Sequence, residues 1–157
     1  MEDRNMEFMR EAIAVAREGI HAQAGGPFGT VIVKDGVIIA RAHNSVLRQH
    51  DATAHGEIAA IREAGKKLGT HDLSGCDLYT TGEPCSMCLC ATLWANIRRV
   101  YYGCTIGDNA RIGFRDGQFD RLFGGREQLS GYLIPLGREE CLTLFEEYAR
   151  MPERKNY

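Results

Sequence analysis

The sequence predicts a layered α/β domain: a mixed β-sheet covered by helices on both faces. Three observations carry this. Apolar residues recur at helical spacing near both ends of the chain. Between them, short β-branched runs alternate with helix-like segments. The resulting order, α-β-β-α-β-α-β-α, opens its strands with a hairpin, which makes the sheet mixed rather than all parallel. At 157 residues the chain suits one domain with a core of its own, and two independent domains are not expected.

Each element has a local reason. Met6, Met9, Ile13, Ala16 and Ile20 fall three and four apart, so residues 4–20 read as an amphipathic helix, which GGPFG at 25–29 breaks. Phe28–Val33 and Val37–Ala42 flank KDG, and Asp35-Gly36 suits a tight type I′ turn. A second helix begins near Thr53 and runs to Lys67 or Leu68, with Gly69 as its stop. CDLYTT at 76–81 is a short strand. Pro84 fits the first turn of a helix running to about Trp94, and RRVYYGC at 98–104 is the next strand. Residues 105–126 form a Gly-, Asp- and Arg-rich, partly helical excursion. YLIPLG at 132–137 is a last short strand. REECLTLFEEYARM is a final helix with Leu142, Phe145, Tyr148 and Ala149 on one stripe.

Charge and composition narrow the function. The net charge is −2 and no run of Lys or Arg exceeds two, which argues against a chain that must hold a polyanion. No stretch approaches the ~18 apolar residues of a membrane helix. The first twenty residues are charged and amphipathic and lack the apolar core of a signal peptide, so a cytoplasmic protein is expected. In a reducing compartment its six cysteines are thiols or metal ligands rather than disulfides.

Two segments carry the chemistry. TAHGEIAAI places His55 and Glu57 at the start of a helix, and TGEPCSMC places Cys85 and Cys88 directly after Pro84. One His and two Cys are three of the four ligands of a tetrahedral zinc ion, the count of a catalytic site that keeps one position open for water. Cys₂His ligation favours zinc over iron. A helix N-terminus favours thiolates through its free N–H groups and dipole. Glu57 need not touch the metal; it has only to reach the water and carry its proton. A C-x-x-C pair alone fits a redox pair as well, and H-x-E alone fits a solvated helix start. Together, in this order, they match the H-x-E…P-C-x-x-C signature of zinc nucleobase deaminases. A structural zinc site completed by Cys90 or Cys104 is the competing reading, and Cys76, Cys104 and Cys141 otherwise read as small core residues.

On GGPFGTVIVKDGVIIARAHN, DATAHGEIAAIREA, LYTTGEPCSMC and RVYYGC, the chain resembles the cytidine deaminase-like superfamily over almost its whole length, most of all the bacterial guanine deaminases. The resemblance implies a three-layer α/β/α sandwich around a mixed five-stranded sheet, with His55, Cys85 and Cys88 holding Zn²⁺ and Glu57 shuttling protons. It also implies substrate-binding roles for Phe28 as an aromatic wall, Asn44 and Asp116 as polar contacts to the base, and Trp94 and the terminal Tyr157 as pocket aromatics. The implied enzyme is a homodimer that deaminates a free purine base, guanine to xanthine and ammonia, with no nucleic-acid or membrane partner. The chain would be one deaminase domain whose segment from about 120 to 157 can be exchanged between subunits, so that Asp116 and Tyr157 could serve a partner's site. Gly56, Gly82 and Cys90 depart from the pattern, which commonly has Ala, a larger residue and Gly there. Cytosine, guanosine or tRNA adenosine are alternative substrates, although a final helix reading REECLTLFEEY is more acidic than a tRNA enzyme should show. A zinc-stabilised binding module without turnover is the alternative of a different class, and it has no use for Glu57.

Overall fold

The structure is a computed structural model and describes residues 2–124 together with positions 135, 138, 142, 150 and 152. The expected last strand at 132–137 and the final helix at 138–151 therefore fall almost entirely outside the described residues, as do Cys141 and Tyr157. The chain divides into two compact units, 1–120 and 121–157. The sheet and the site described below lie in the first.

The element order is α1 (Glu2–His21), β1 (Gly29–Lys34), β2 (Val37–His43), α2 (Val46–Gln49), α3 (Gly56–Leu68), β3 (Cys76–Gly82), α4 (Ser86–Trp94), β4 (Arg99–Cys104), α5 (Ile106–Arg111) and α6 (Asp116–Leu122). Among the described residues the sheet has four strands in the order β2-β1-β3-β4, against the five expected. It is mixed as predicted: β1 pairs antiparallel with β2 and β3, and β3 pairs parallel with β4. Asp35 and Gly36 both have positive φ (50° and 76°), the geometry that a two-residue type I′ hairpin requires. Gly69, at φ 68°, terminates α3 in the left-handed region.

Alternation along the strands feeds two cores. Ile32, Leu78 and Cys76 face α3 and pack with Ala60, Ala64, Leu73 and Ala95. Val31, Val33 and Tyr79 face the other way and pack with Ala12 of α1, alongside Phe8 and Met9. Helices thus cover both faces, the three-layer arrangement. Each fully buried Ile or Leu contributes about 1.5–3 kcal/mol. A bidentate ion pair from Arg98 to Asp77 (2.9 and 2.6 Å) ties the approach of β4 to β3.

Two boundaries differ from expectation. The helix placed at Pro84 begins at Ser86, with Cys85 as its N-cap in extended geometry (φ −64°, ψ 168°), so Pro84 precedes the cap rather than opening the first turn. The four-residue α2 has no apolar period to announce it. No described helix is long and apolar enough to cross a membrane.

Gly29 marks the closest approach of α1 to the sheet. A Cβ there would stand 2.2 Å from the Ala12 carbonyl oxygen and 2.5 Å from the Ala16 nitrogen, both backbone atoms that cannot swing aside. Gly29→Ala is expected to lower unfolding stability by about 1–3 kcal/mol, the range for overpacking. Denaturant titration of the zinc-saturated protein measures it, and an unchanged midpoint would rule out this tight seat for α1.

Candidate functional site

The site forms where β3 and β4 end and the N-termini of α3 and α4 meet. His55 is the N-cap of α3 and Cys85 the N-cap of α4. Cys88 lies one turn into α4 and is fully buried. His55 Nδ1 is 3.6 Å from Cys85 Sγ and 3.4 Å from Cys88 Sγ. A tetrahedral zinc with Zn–N of about 2.0–2.1 Å and Zn–S of about 2.3 Å has an N···S edge of about 3.6 Å. The three ligand atoms all lie within 4.8 Å of one another, and among the described residues no fourth His, Cys, Asp or Glu joins them. The donor set fits zinc with one position left for water. Cys90 and Cys104 are both exposed, so neither completes a closed structural site, and Cys104 is not the core residue expected. Cys76 is, at the centre of the α3-facing core.

The electrostatics call for a cation. Cys85 is driven down to about 4, first by the hydrogen bond from the Cys88 thiol and also by His55. Cys88 is pushed far up by that same bond and then by burial, so the metal-free pair shares one proton. The bond with Cys85 raises His55. A divalent cation removes this conflict by holding both sulfurs as thiolates. Glu57, in the first turn of α3 and 5% exposed, is pushed above the usual carboxylate range by burial. Its Oε1 accepts a hydrogen bond from the Thr80 hydroxyl at 3.2 Å.

A cavity of about 560 Å³ opens beside these groups, lined by His55, Glu57 and Cys85 together with Phe28, Asn44 and Asp116. Phe28 meets Phe114 edge-on, with ring centroids 4.8 Å apart. Gly82 makes room for this ring: a Cβ on it would stand 2.9 Å from Phe28 Cε1. Asn44 is 4% exposed, and its Oδ1 accepts from the Val46 backbone N–H at 3.1 Å. Only an oxygen can accept there, which fixes the amide orientation and leaves the NH₂ as donor. Asp116 lines this cavity within its own chain.

Trp94 does not belong to this cavity. It is 68% exposed and stands nine residues after Cys85, half a turn round the helix from the sulfur-bearing face. Other lining residues had no local sequence signal: Glu83, Asn109, Phe114, Arg115 and Phe119. Asn109 is 2% exposed and donates to Asp116 Oδ2 at 3.2 Å and to the Glu83 carbonyl at 3.5 Å. It is held by α5, whose start is fixed by a capping box between Thr105 and Asp108. That Thr-x-x-Asp pattern was the one available clue to a helix before Asp116.

The model of the cytidine and deoxycytidylate deaminase zinc-binding region matches residues 2–104. This chain belongs to that family. The guanine deaminase of Bacillus subtilis (strain 168) is 50% identical over 151 residues, 96% of this chain and 97% of that protein. The X-ray structure of guanine deaminase from Bacillus subtilis superposes with a TM-score of 0.87 at 40% identity, covering 97% of this chain and 98% of that one. The tRNA-specific adenosine deaminase of Agrobacterium fabrum is 53% identical, but over 77 residues only, 49% of this chain and 51% of that protein. For this deaminase, then, the closed-site reading of the zinc falls away and the hydrolytic one stands.

Two outcomes follow. Cys88→Ala is expected to abolish stoichiometric zinc binding, measured by metal analysis after dialysis; retained zinc would refute the ligand set. For the metal-free protein the sign of the Glu57 effect is fixed. Its folded-state pKa is raised, so its contribution to stability is full below the ordinary carboxylate pKa and is lost as pH rises through the raised value. Glu57→Gln removes that loss, so its stability relative to wild type should increase from pH 5 to pH 8 in denaturant titrations. A pH-independent difference would contradict the burial of a charge.

Proposed function

We propose that this deaminase hydrolyses the exocyclic amine of free guanine, releasing xanthine and ammonia. The observation that carries the reading is the cavity in which Glu57, Asn44, Asp116 and Phe28 converge on His55 and Cys85, with Cys88 buried directly beside them. Near-full-length likeness to a guanine deaminase supports the substrate. His55, Cys85 and Cys88 would hold the zinc ion, which would supply a water acidified toward neutral pH. Glu57 takes one proton of the attacking water and gives it to a ring nitrogen, then takes the second from the hydroxyl left on the amino-bearing carbon and gives it to the departing amine. The amino-bearing carbon thereby exchanges its C–N bond for a C–O bond, and the nitrogen leaves as ammonia.

The remaining residues hold the ring. Phe28 stacks on the base, Asn44 donates its NH₂ to a purine acceptor, and the Asp116 carboxylate, braced by Asn109, accepts from the guanine N–H edge. A substrate-contacting role for Tyr157, outside the described residues, belongs to the same proposal. Segment 120–157 is exchanged between the subunits of a homodimer. An apolar stripe on α4 (Met87, Leu89, Leu93 and Trp94, 37–68% exposed) supports an association face. Two thiol ligands suit a reducing cytoplasm, and a net charge of −2 does not favour a nucleic-acid partner.

Ammonia release from the zinc-loaded protein on guanine, guanosine, cytosine, adenine and a tRNA anticodon stem tests the substrate. Guanine is expected to dominate; turnover of another member of the panel instead would overturn the assignment. Glu57→Gln is expected to keep its zinc and lose about 10²–10⁴-fold in kcat, and full activity in that variant would remove Glu57 from the mechanism.

A further inference from the structure

Beneath Glu57 the sheet carries two hydroxyls where its pattern calls for hydrocarbon. On the α3-facing side, β3 presents Cys76, Leu78 and then Thr80, while β1 presents Ile32 and Thr30. Thr30 and Thr80 are cross-strand partners in the β1–β3 register, and both are 0% exposed. Valine has the same shape and would fill either position without a polar atom to satisfy. The two hydroxyls instead form a chain. Thr30 Oγ1 donates to Thr80 Oγ1 at 3.3 Å, and Thr80 Oγ1 donates to Glu57 Oε1 at 3.2 Å. Gly56 belongs to the same arrangement: a Cβ on it would lie 3.1 Å from Thr30 Oγ1, so the bare backbone of α3 leaves the first hydroxyl its place.

We infer that Thr80, backed by Thr30, is a positioning residue for the general base, fixing the rotamer of the Glu57 carboxylate so that its other oxygen is aimed into the cavity. The direction of donation suits this role. Each hydroxyl gives its proton toward the carboxylate, so the chain ends on an acceptor, and the hydrogen bond is charge-assisted whenever Glu57 is ionised. Both hydroxyls ride on central strands of the sheet, which gives the base a rigid support. The inference rests on the proposed role of Glu57 as proton shuttle.

The test compares Thr80→Val, Thr80→Ser and Thr30→Val with wild type and Glu57→Gln, using the panel substrate that the wild type turns over fastest. Thr80→Val is expected to lose roughly tenfold or more in kcat, with KM and zinc content unchanged, and Thr80→Ser to restore most of the loss. Thr30→Val should lose on the order of two- to fivefold. In unfolding melts of the metal-free protein, the effects of Thr80→Val and Glu57→Gln should be non-additive, because the two share one hydrogen bond. An unchanged kcat in Thr80→Val, or a loss that serine does not rescue, overturns the inference. If Thr80→Val does not fold, Thr30→Val and the serine variant decide it, and wild-type kcat in Thr30→Val together with a serine variant as slow as Glu57→Gln counts against it. Failure of the underlying reading looks different: Glu57→Gln itself would then remain active.

Discussion

The parallel pairing of β3 with β4 is the constraint on which the rest of the site depends. It sets Gly82 beside Cys104, so two chain segments leave the sheet side by side at the same end. One becomes the cap of α4 and delivers both sulfurs; the other becomes α5 and delivers Asn109. Glu83 clamps the two exits together, its backbone N–H donating to the Cys104 carbonyl at 2.7 Å and its carboxylate accepting from the Ile106 N–H at 2.9 Å. A strand-end location of this kind is where open α/β sheets bind ligands generally, because helix N-termini converge there without extra machinery. Here the antiparallel β1–β3 pair adds a second supply line, through which Phe28 and the Thr30–Thr80 hydroxyls reach the same point.

Charge is what makes this junction chemically specific. Two sulfurs and one carboxylate crowd into a region where Glu57 and Cys88 are almost fully buried. Without a cation, one proton stays trapped between the thiols and burial opposes ionisation of Glu57. The two helix N-termini offset part of this repulsion, each by a fraction of a kcal/mol up to about 2 kcal/mol. A divalent cation held by His55, Cys85 and Cys88 would offset the rest, and its binding would be coupled to the protonation of the sulfurs. A buried carboxyl whose ionised form is disfavoured by burial is the kind of group that the proposed proton shuttle needs and a structural zinc site does not.

How much of this was legible in the sequence follows from how local each signal is. The Asp35-Gly36 turn and the Gly69 stop are set by one or two residues and their backbone, and both were readable. So was the proximity of His55, Cys85 and Cys88 with Glu57 beside them, because these residues sit at fixed short spacings at helix starts. Pro84 misled by one step: its ring tolerates a helical first turn, but here the cap is Cys85, which pushes the helix start to Ser86. Trp94, whose role came by resemblance, lies outside the cavity of the described residues, because the angular phase of α4 sets it opposite the sulfurs. Asn109, Glu83 and the Thr30–Thr80 pair were unreadable for a common reason. Each acts through a partner at least seven residues away, fixed by sheet register or helix docking rather than by its neighbours in the chain. A threonine in a strand looks like any β-branched residue until the register shows what lies opposite.

The glycines that departed from the family pattern acquire a physical meaning in the same terms. Gly56 and Gly82 are not among the residues with positive φ, so neither is present for its backbone freedom. What each supplies is a missing Cβ beside a group of the site: Thr30 Oγ1 for Gly56 and the Phe28 ring for Gly82. Gly25 acts likewise, since a Cβ there would stand 2.0 Å from Asn44 Oδ1. Volume removed at one position is thus occupied by a larger or more polar side chain from another element, and close packing makes the two choices interdependent. An alanine at 56 would press on Thr30, and a larger residue at 82 on Phe28, so each departure belongs with its partner rather than standing as an isolated loosening of the site. Phe28 and Asn44, which both line the cavity, are thus each seated against a glycine distant in sequence, so the shape of that wall depends on residues that do not themselves line it as well as on those that do.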